Sequence, residues 1–383
     1  MAFSSESYRD TWVEINTENI KYNIREVRKL HAENVAVMAV VKADGYGHGA
    51  AETALAAAEA GASYFGVALL EEALELRNAG IKLPILVLGR TRPQDAAVAA
   101  RHDIRLTVFQ EEWLKEASRY TAGESLLIHM KVDTGMGRLG LINDEDITSF
   151  LAAVISTPSI EMEGMYTHFA TADELETTYF EQQYARFSQV VALVQQMGNA
   201  PRLIHCGNSA AAMRFPERCF NMVRFGISMY GLTPAADITG HLPFTLKEAF
   251  TLHSRLTQVK EVPPGTSISY GATYTSTENE WIGTVPIGYA DGWLRAHAEN
   301  QGEVLAGGIR VPIVGRICMD QMMVRLPHEF PVDTVVTLIG SQKEETISVT
   351  EVASRLGTIT YEVPCIISKR VPRVYTPENR FEP

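Results

Sequence analysis

The chain has 383 residues, 46% hydrophobic and 21% charged, the balance of a globular protein large enough for two domains. Its formal net charge of −12 argues against an electrostatic nucleic-acid footprint or a basic membrane-binding face. The opening "MAFSSESYRDTWVEI" is polar and acidic, unlike a secretory signal, and nowhere is the chain apolar for the ~18 residues of a membrane span. Four scattered cysteines, Cys206, Cys219, Cys318 and Cys365, have no C-x-x-C or His/Cys ligand spacing. The expectation is a cytoplasmic protein with reduced thiols, no metal, no nucleic-acid partner and no membrane contact.

Up to about residue 230 one theme repeats: a short β-branched apolar run, a glycine-bearing or polar loop, then a helical stretch. The predicted strands are "VAVMAVV" (35–41), "YFGVA" (64–68), "PILVLG" (84–89), "IRLTVF" (104–109), "SLLIHMKV" (125–132), "SIEMEGMYTHF" (159–169), "RLIHC" (202–206) and "NMVRFG" (221–226). Helical segments such as "GAAETALAAAEAG", "EEALELRNAG" and "FEQQYARFSQVVALVQQMG" lie between them. Eight strands alternating with helices predict a parallel sheet closed as an N-terminal (β/α)8 barrel of the TIM type. An open doubly wound sheet ranks lower, because no G-x-G-x-x-G follows an early strand. Beyond residue 235 helical periodicity fades, and Gly- and Pro-punctuated runs such as "FTLHSRLTQVKEV", "WIGTVPIG" and "DTVVTLIG" predict a mainly β domain. The expected division is residues 1–240 as barrel, with 1–14 free to pack with the second domain, and 241–383 as C-terminal domain.

In such a barrel the loops at the C-terminal strand ends form the active face. Lys42 follows strand one, Arg138 follows strand five, His168 ends strand six, Asn208 and Ser209 follow strand seven, and Arg224 sits at strand eight. Singly, each has a plain explanation: a strand-end lysine usually snorkels to water, and an arginine is usually an ion-pair partner. Their coincidence on one face points to a site. The small residues and hydroxyl of "GNSAA" and the glycine turn of "RFGIS" suit a phosphate. A phosphate site opposite a strand-end lysine suggests a phosphorylated aldehyde held on the amine, pyridoxal 5'-phosphate (PLP).

The segment "AVVKADGYGHG" strongly resembles the PLP-lysine motif of the alanine racemase family. "KVDTGMGRLG", "GMYTHFATAD", "HCGNSAA", "VRFGISMYG", "SYGATY", "PIGYADG", "GRICMDQ" and "YEVPCIISKRVPR" follow in that family's order over the whole length. The resemblance implies that Lys42 carries PLP and acts as one of two bases, and that Tyr270 is the opposing base, lent to a neighbouring subunit in a head-to-tail homodimer. It implies that Arg224 meets the pyridine nitrogen, and that Tyr46, Ser209, Gly226, Ile227 and Tyr361 hold the phosphate, with Asn208 beside them. By the same resemblance Arg138 and the Met319 backbone meet the substrate carboxylate, His168 lies near Tyr270, and Tyr289 and Asp320 line the entry. Lys131 matches a position carbamylated in some members.

Inverting an amino acid's Cα needs proton removal on one face and delivery on the other. An amine and a phenol with reference pKa values near 10 suit this only beside positive charge, which Arg138 and His168 are expected to supply. The implied activity is interconversion of L- and D-alanine, with D-alanine going to peptidoglycan. A serine or broad-specificity racemase stays open, since one methylene changes selectivity by only ~1–3 kcal/mol. A non-catalytic PLP-binding protein is disfavoured by the second domain, and a barrel-class PLP decarboxylase by Arg224, where an acidic residue would be expected.

Overall fold

The computed structural model describes residues 7–121, 123–198 and 201–377. The chain forms two compact units: one spans Ile20–Lys247, and the other joins the segment ending at Asn19 to the segment beginning at Glu248. In chain order β1 (Trp12–Asn16) belongs to the second of these. The first contains β2 (Ala36–Val40), β3 (Tyr64–Val67), β4 (Ile85–Arg90), β5 (Ile104–Val108), β6 (Leu126–Lys131), β7 (Ile160–Tyr166), β8 (Leu203–His205) and β9 (Met222–Phe225).

Strands β2 to β9 run parallel and pair in sequence, and β9 closes on β2 with Met222 opposite Ala36 and Arg224 opposite Met38. This is the closed eight-stranded barrel expected from the sequence. The strands are apolar on both faces because helices cover the outside while side chains fill the interior; every residue of β3 and β5 is buried. The longest described helix, Thr178–Gln196, buries Phe180, Phe187, Val190, Val191 and Val194. It ends before Gly198, whose φ of +77° is the left-handed conformation that costs glycine little. The interior is not wholly apolar: Arg105, His129, Glu163, His205 and Arg224 are all buried.

The second unit adds β10 (Phe250–Arg255), β11 (Gln258–Val262), β12 (Ser267–Ile268), β13 (Tyr274–Thr275), β14 (Glu280–Val285), β15 (Glu303–Ala306), β16 (Ile309–Val314), β17 (Met322–Leu326), β18 (Val335–Gln342), β19 (Glu345–Ile347) and β20 (Arg373–Thr376). Its main sheet has the order β11-β14-β17-β16-β15-β18-β10-β1-β20. The run "FTLHSRLTQVKEV" is two strands, β10 and β11, which part at Leu256 and Thr257 to join distant positions of that sheet. β1 lies between β10, to which it is antiparallel, and β20, to which it is parallel.

The sequence put the domain boundary at 240/241; the structure divides the chain between Lys247 and Glu248. Buried Asn23 explains the later break. Its side chain accepts from Lys247 N at 3.0 Å and donates to Lys247 O at 2.9 Å and Met229 O at 3.1 Å, tying that segment to the helix Thr17–Lys29.

Candidate active site

Lys42 opens a left-handed turn. Ala43, Asp44, Gly45 and Tyr46 have φ of 53°, 53°, 62° and 53°, and only the glycine adopts this without a Cβ penalty. For the other three the conformation costs roughly 1–2 kcal/mol each, so surrounding bonds must hold it. Gly45 N donates to Val41 O at 2.9 Å, Gly47 N to Ala43 O at 3.0 Å and Gly49 N to Asp44 O at 2.8 Å. The Asp44 carboxylate also accepts Ala50 N at 3.0 Å, at the start of the helix Ala50–Glu59. The Lys42 amine lies 5.8 Å from the Tyr46 ring centroid.

Arg224 on β9 is the hub of the barrel interior. Its Nη1 donates to His205 Nδ1 at 2.9 Å, and its Nη2 reaches Thr167 O and Cys206 O at 3.0 Å and His168 Nδ1 at 3.2 Å. His205 Nε2 meets His129 Nδ1 at 2.9 Å, and His129 Nε2 meets Glu163 Oε2 at 3.1 Å. Glu163 also accepts Tyr64 OH at 2.6 Å and Arg105 Nε at 3.2 Å, and it is bonded to Arg202 Nη2. Burial pushes the imidazoles of His129, His168 and His205 below their ordinary range, and Arg224 adds to this at His168 and His205. Burial alone would raise the Glu163 carboxyl, but hydrogen bonds from His129 and Tyr64 and the charge of Arg105 outweigh it and hold it well below the carboxylate range. His168 is therefore a neutral ring on this chain, and positive charge at the site comes from arginine. The sequence had assigned that task to Arg138 and His168 together.

Next to Arg224, Gly226 N donates to Ser209 Oγ at 2.9 Å and Ser228 N approaches it at 3.5 Å. A Cβ on Gly226 would stand 2.9 Å from Tyr46 OH, so the missing side chain lets the Tyr46 hydroxyl approach the backbone beside Ser209. Asn208 caps the helix Ser209–Arg214, its Oδ1 accepting Ala211 N at 3.0 Å. Ile227 opens a 3-10 turn, Ile227–Tyr230, where the first N–H groups have no partner within the turn. These groups fit a phosphate: two hydroxyls and backbone N–H donors brought together beside a glycine. The Arg224 Nε–H takes no part in the bonds above, which suits a ring nitrogen that accepts.

Lys131, at the end of β6, is 3% exposed, donates to Val132 O at 3.1 Å and lies 4.7 Å from the Tyr166 ring centroid. Burial first, then Arg224 and Arg138, lower its amine well below the usual lysine range. Arg138 stands in a loop organised by Asp133, whose carboxylate accepts Gly135 N at 2.9 Å, Gly137 N at 3.1 Å and Arg138 N at 3.0 Å. Burial opposes this carboxylate's charge, yet the three N–H bonds prevail and lower its pKa. Among the described residues the exposed Arg138 guanidinium has no hydrogen-bond or ion-pair partner, which leaves it available to an anion.

The remaining predicted residues lie in the second unit. Tyr270 is 71% exposed and Met319 53% exposed. Tyr270 begins a strained turn in which Ser269, Gly271 and Ala272 have φ of 66°, 73° and 46°, and Ser269 Oγ donates to Arg316 O at 2.6 Å. Tyr289 N donates to Cys318 O at 3.1 Å and Ala290 N to Met319 O at 3.0 Å, so these loops are stitched together. Asp320 accepts Arg370 Nη2 at 2.8 Å. Tyr361 precedes the helix Glu362–Ile366, which packs so closely on Gly292 that a Cβ there would meet Ile366 O at 2.1 Å. Within this unit the structure thus gathers Tyr270, Tyr289, Met319 and Asp320 around adjoining loops.

The family model described as "Alanine racemase, N-terminal domain" matches residues 15–234, and its C-terminal counterpart matches residues 249–375. The chain belongs to the alanine racemase family. It is 56% identical over 378 residues to the alanine racemase of Geobacillus kaustophilus, covering 98% of this chain and 97% of that one. A crystal structure of alanine racemase from Bacillus anthracis with bound L-Ala-P superposes with a TM-score of 0.94 at 48% identity, covering 97% of this chain and 96% of that one. A histidine racemase from Leuconostoc mesenteroides superposes with a TM-score of 0.89 at 29% identity, covering 98% of this chain and 100% of that one. A racemase named for a larger side chain thus shares the fold. No described helix is long and apolar enough to cross a membrane, and the described residues hold no metal-binding group of His, Cys, Asp and Glu.

The sequence reading missed the interior residues beneath the family's motifs, His129, Glu163, His205, Tyr64 and Arg105. A signal was available: histidine, arginine and glutamate inside otherwise apolar runs such as "LLIHMK" and "RLIHC" must find buried partners.

Proposed function

We propose that this chain is a PLP-dependent racemase that interconverts L- and D-alanine in the cytoplasm, with D-alanine serving peptidoglycan, and that it works as a homodimer sharing two sites. The observation that carries the reading is the set of Lys42, Arg224 and the close grouping of Gly226 with the Tyr46 and Ser209 hydroxyls in the barrel unit. When bound, PLP supplies the electron sink that acidifies the substrate's Cα–H.

The chain's own residues do the rest. Lys42 Nζ would hold the cofactor and would move the proton on one face of Cα. Tyr270 of a second copy handles the opposite face, and the exposure of this side chain on the single chain supports that assignment. The unpaired Arg138 orients the substrate carboxylate. Arg224 can only donate, so it would leave a bound ring nitrogen unprotonated and would restrain charge delocalisation, favouring chemistry at Cα. By the family resemblance Tyr361 would join the phosphate ligands, the Met319 backbone would meet the substrate carboxylate, and Tyr289 and Asp320 would line the entry.

The test is incubation of the purified protein with L-alanine, L-serine and L-histidine separately, followed by chiral chromatography. D-alanine should form fastest; equal rates with serine would shift the reading to a broad-specificity racemase. No D-amino acid from any of the three, with PLP bound, would overturn it.

A further inference from the structure

One carboxylate links two barrel loops at the candidate lysine. Glu72 Oε1 accepts Ala43 N at 2.6 Å, while its Oε2 accepts Ala68 N at 2.7 Å and Leu69 N at 3.1 Å. Ala68 and Leu69 follow β3, and Glu72 is the third residue of the helix Leu70–Asn78, so the bonds to Oε2 are those of a helix cap. The bond to Oε1 is not. It crosses 29 residues to the position immediately after Lys42.

Ala43 has φ 53° and ψ 51° and is exposed, so packing around its methyl group does not impose the left-handed conformation. The turn's own bonds, Gly45 to Val41, Gly47 to Ala43 and Gly49 to Asp44, would travel with it. The Glu72 bond instead ties the turn to the neighbouring loop and helix, and N–H bonds to a carboxylate are stronger than those to a neutral acceptor.

We propose that Glu72 is a positioning residue that holds Ala43 in its strained conformation and so sets the direction in which Lys42 presents its amine. The inference rests on the reading of Lys42 as the PLP-bearing residue. Glu72 touches neither cofactor nor substrate; its effect passes through the backbone on the carboxyl side of Lys42.

The experiment uses full-length Glu72→Ala, Glu72→Asp and Ala43→Gly, together with the double variant Glu72→Ala/Ala43→Gly. The readouts are the PLP dissociation constant, the rate of borohydride trapping at Lys42 followed by peptide mass, kcat and KM for alanine, and the thermal midpoint. Glu72→Ala should slow trapping and lower kcat by roughly 10–100-fold, the scale of an ångström-level misplacement, with KM little changed. Glu72→Asp is one methylene short of Ala43 but can still cap Leu69, so it should lose kcat while keeping the thermal midpoint. Ala43→Gly in the Glu72→Ala background should recover about tenfold, because glycine takes a positive φ without the penalty. A helix-cap role alone would give no such rescue.

Wild-type trapping rates in Glu72→Ala, or losses that follow the thermal midpoint and ignore Ala43→Gly, would overturn the role of Glu72 while leaving Lys42 as the PLP residue. Failure of borohydride to label Lys42 in the wild-type protein would instead remove the underlying reading. Should Glu72→Ala not fold, Glu72→Asp with and without Ala43→Gly decides the question.

Discussion

Arg224 Nη1 donates a hydrogen bond of 2.9 Å to Nδ1 of His205, deep inside the barrel. A guanidinium has no acceptor, so His205 Nδ1 must accept and its proton must sit on Nε2. His129 Nδ1, 2.9 Å away, therefore accepts in turn, and His129 donates from Nε2 to Glu163 at 3.1 Å. Two neutral rings, each fixed in one tautomer, thus connect the cation at the site to a carboxylate. Arg105, the second residue of β5, and Arg202, just before β8, place that carboxylate toward the N-terminal strand ends.

Cutting this chain should show in stability. His205→Phe leaves a buried guanidinium N–H and the His129 nitrogen without partners, and each buried unsatisfied group costs about 1–3 kcal/mol. Urea unfolding with PLP removed should lose roughly 2–6 kcal/mol; a loss under ~0.5 kcal/mol would mean that the chain of bonds contributes nothing.

The same burial sets a pH dependence. His31, His129, His168, His205, His253 and His297 all have lowered pKa values in the folded protein, His253 to about 4 and His297 to about 3, chiefly from burial. Below the ordinary histidine value of ~6.5 the unfolded chain binds these protons and the folded chain does not, so stability falls with pH. Glu163, held low in the fold, adds a second loss as pH falls below ~4.5. The urea midpoint should be level above about pH 7 and decline steadily from about 6.5 to 5; a level profile throughout would contradict the neutral-imidazole assignment.

Lys131 combines a buried amine, lowered well below the usual lysine range, with two nearby guanidinium groups, Arg224 and Arg138. A neutral amine can add carbon dioxide, forming an N–C bond and releasing a proton, and the resulting carboxylate would answer both cations. Carbon-13 NMR of protein equilibrated with labelled bicarbonate should show one carbamate resonance that disappears in Lys131→Ala. That variant should raise KM for alanine by about tenfold through a less constrained Arg138, and small carboxylates should restore part of the loss. Absence of the resonance, with an unchanged KM in the variant, would assign the lysine to packing alone.

Sharing of sites between copies has a quantitative signature. Lys42→Ala and Tyr270→Phe should each be nearly inactive alone. After dissociation and random reassembly, half of the dimers are mixed and each of these has one intact site, so activity should return to about a quarter of the wild-type value. No recovery in verified mixed dimers would place both groups on one chain.

Much of this protein was legible from local pattern. The β-branched runs located β2 to β9 to within a few residues, since a parallel strand covered on both faces must be apolar throughout, and glycines at 80 and 198 stopped the helices before them. Ordered motifs from "AVVKADGYGHG" to "YEVPCIISKRVPR" carried the family. Tertiary structure alone decided how "WVEIN" pairs between β10 and β20, because a strand's partners lie hundreds of residues away. It likewise decided the tautomers of His129 and His205, the neutral state of His168 and the reach of Glu72 to Ala43, for hydrogen-bond partners and desolvation are properties of a neighbourhood that chain order does not record.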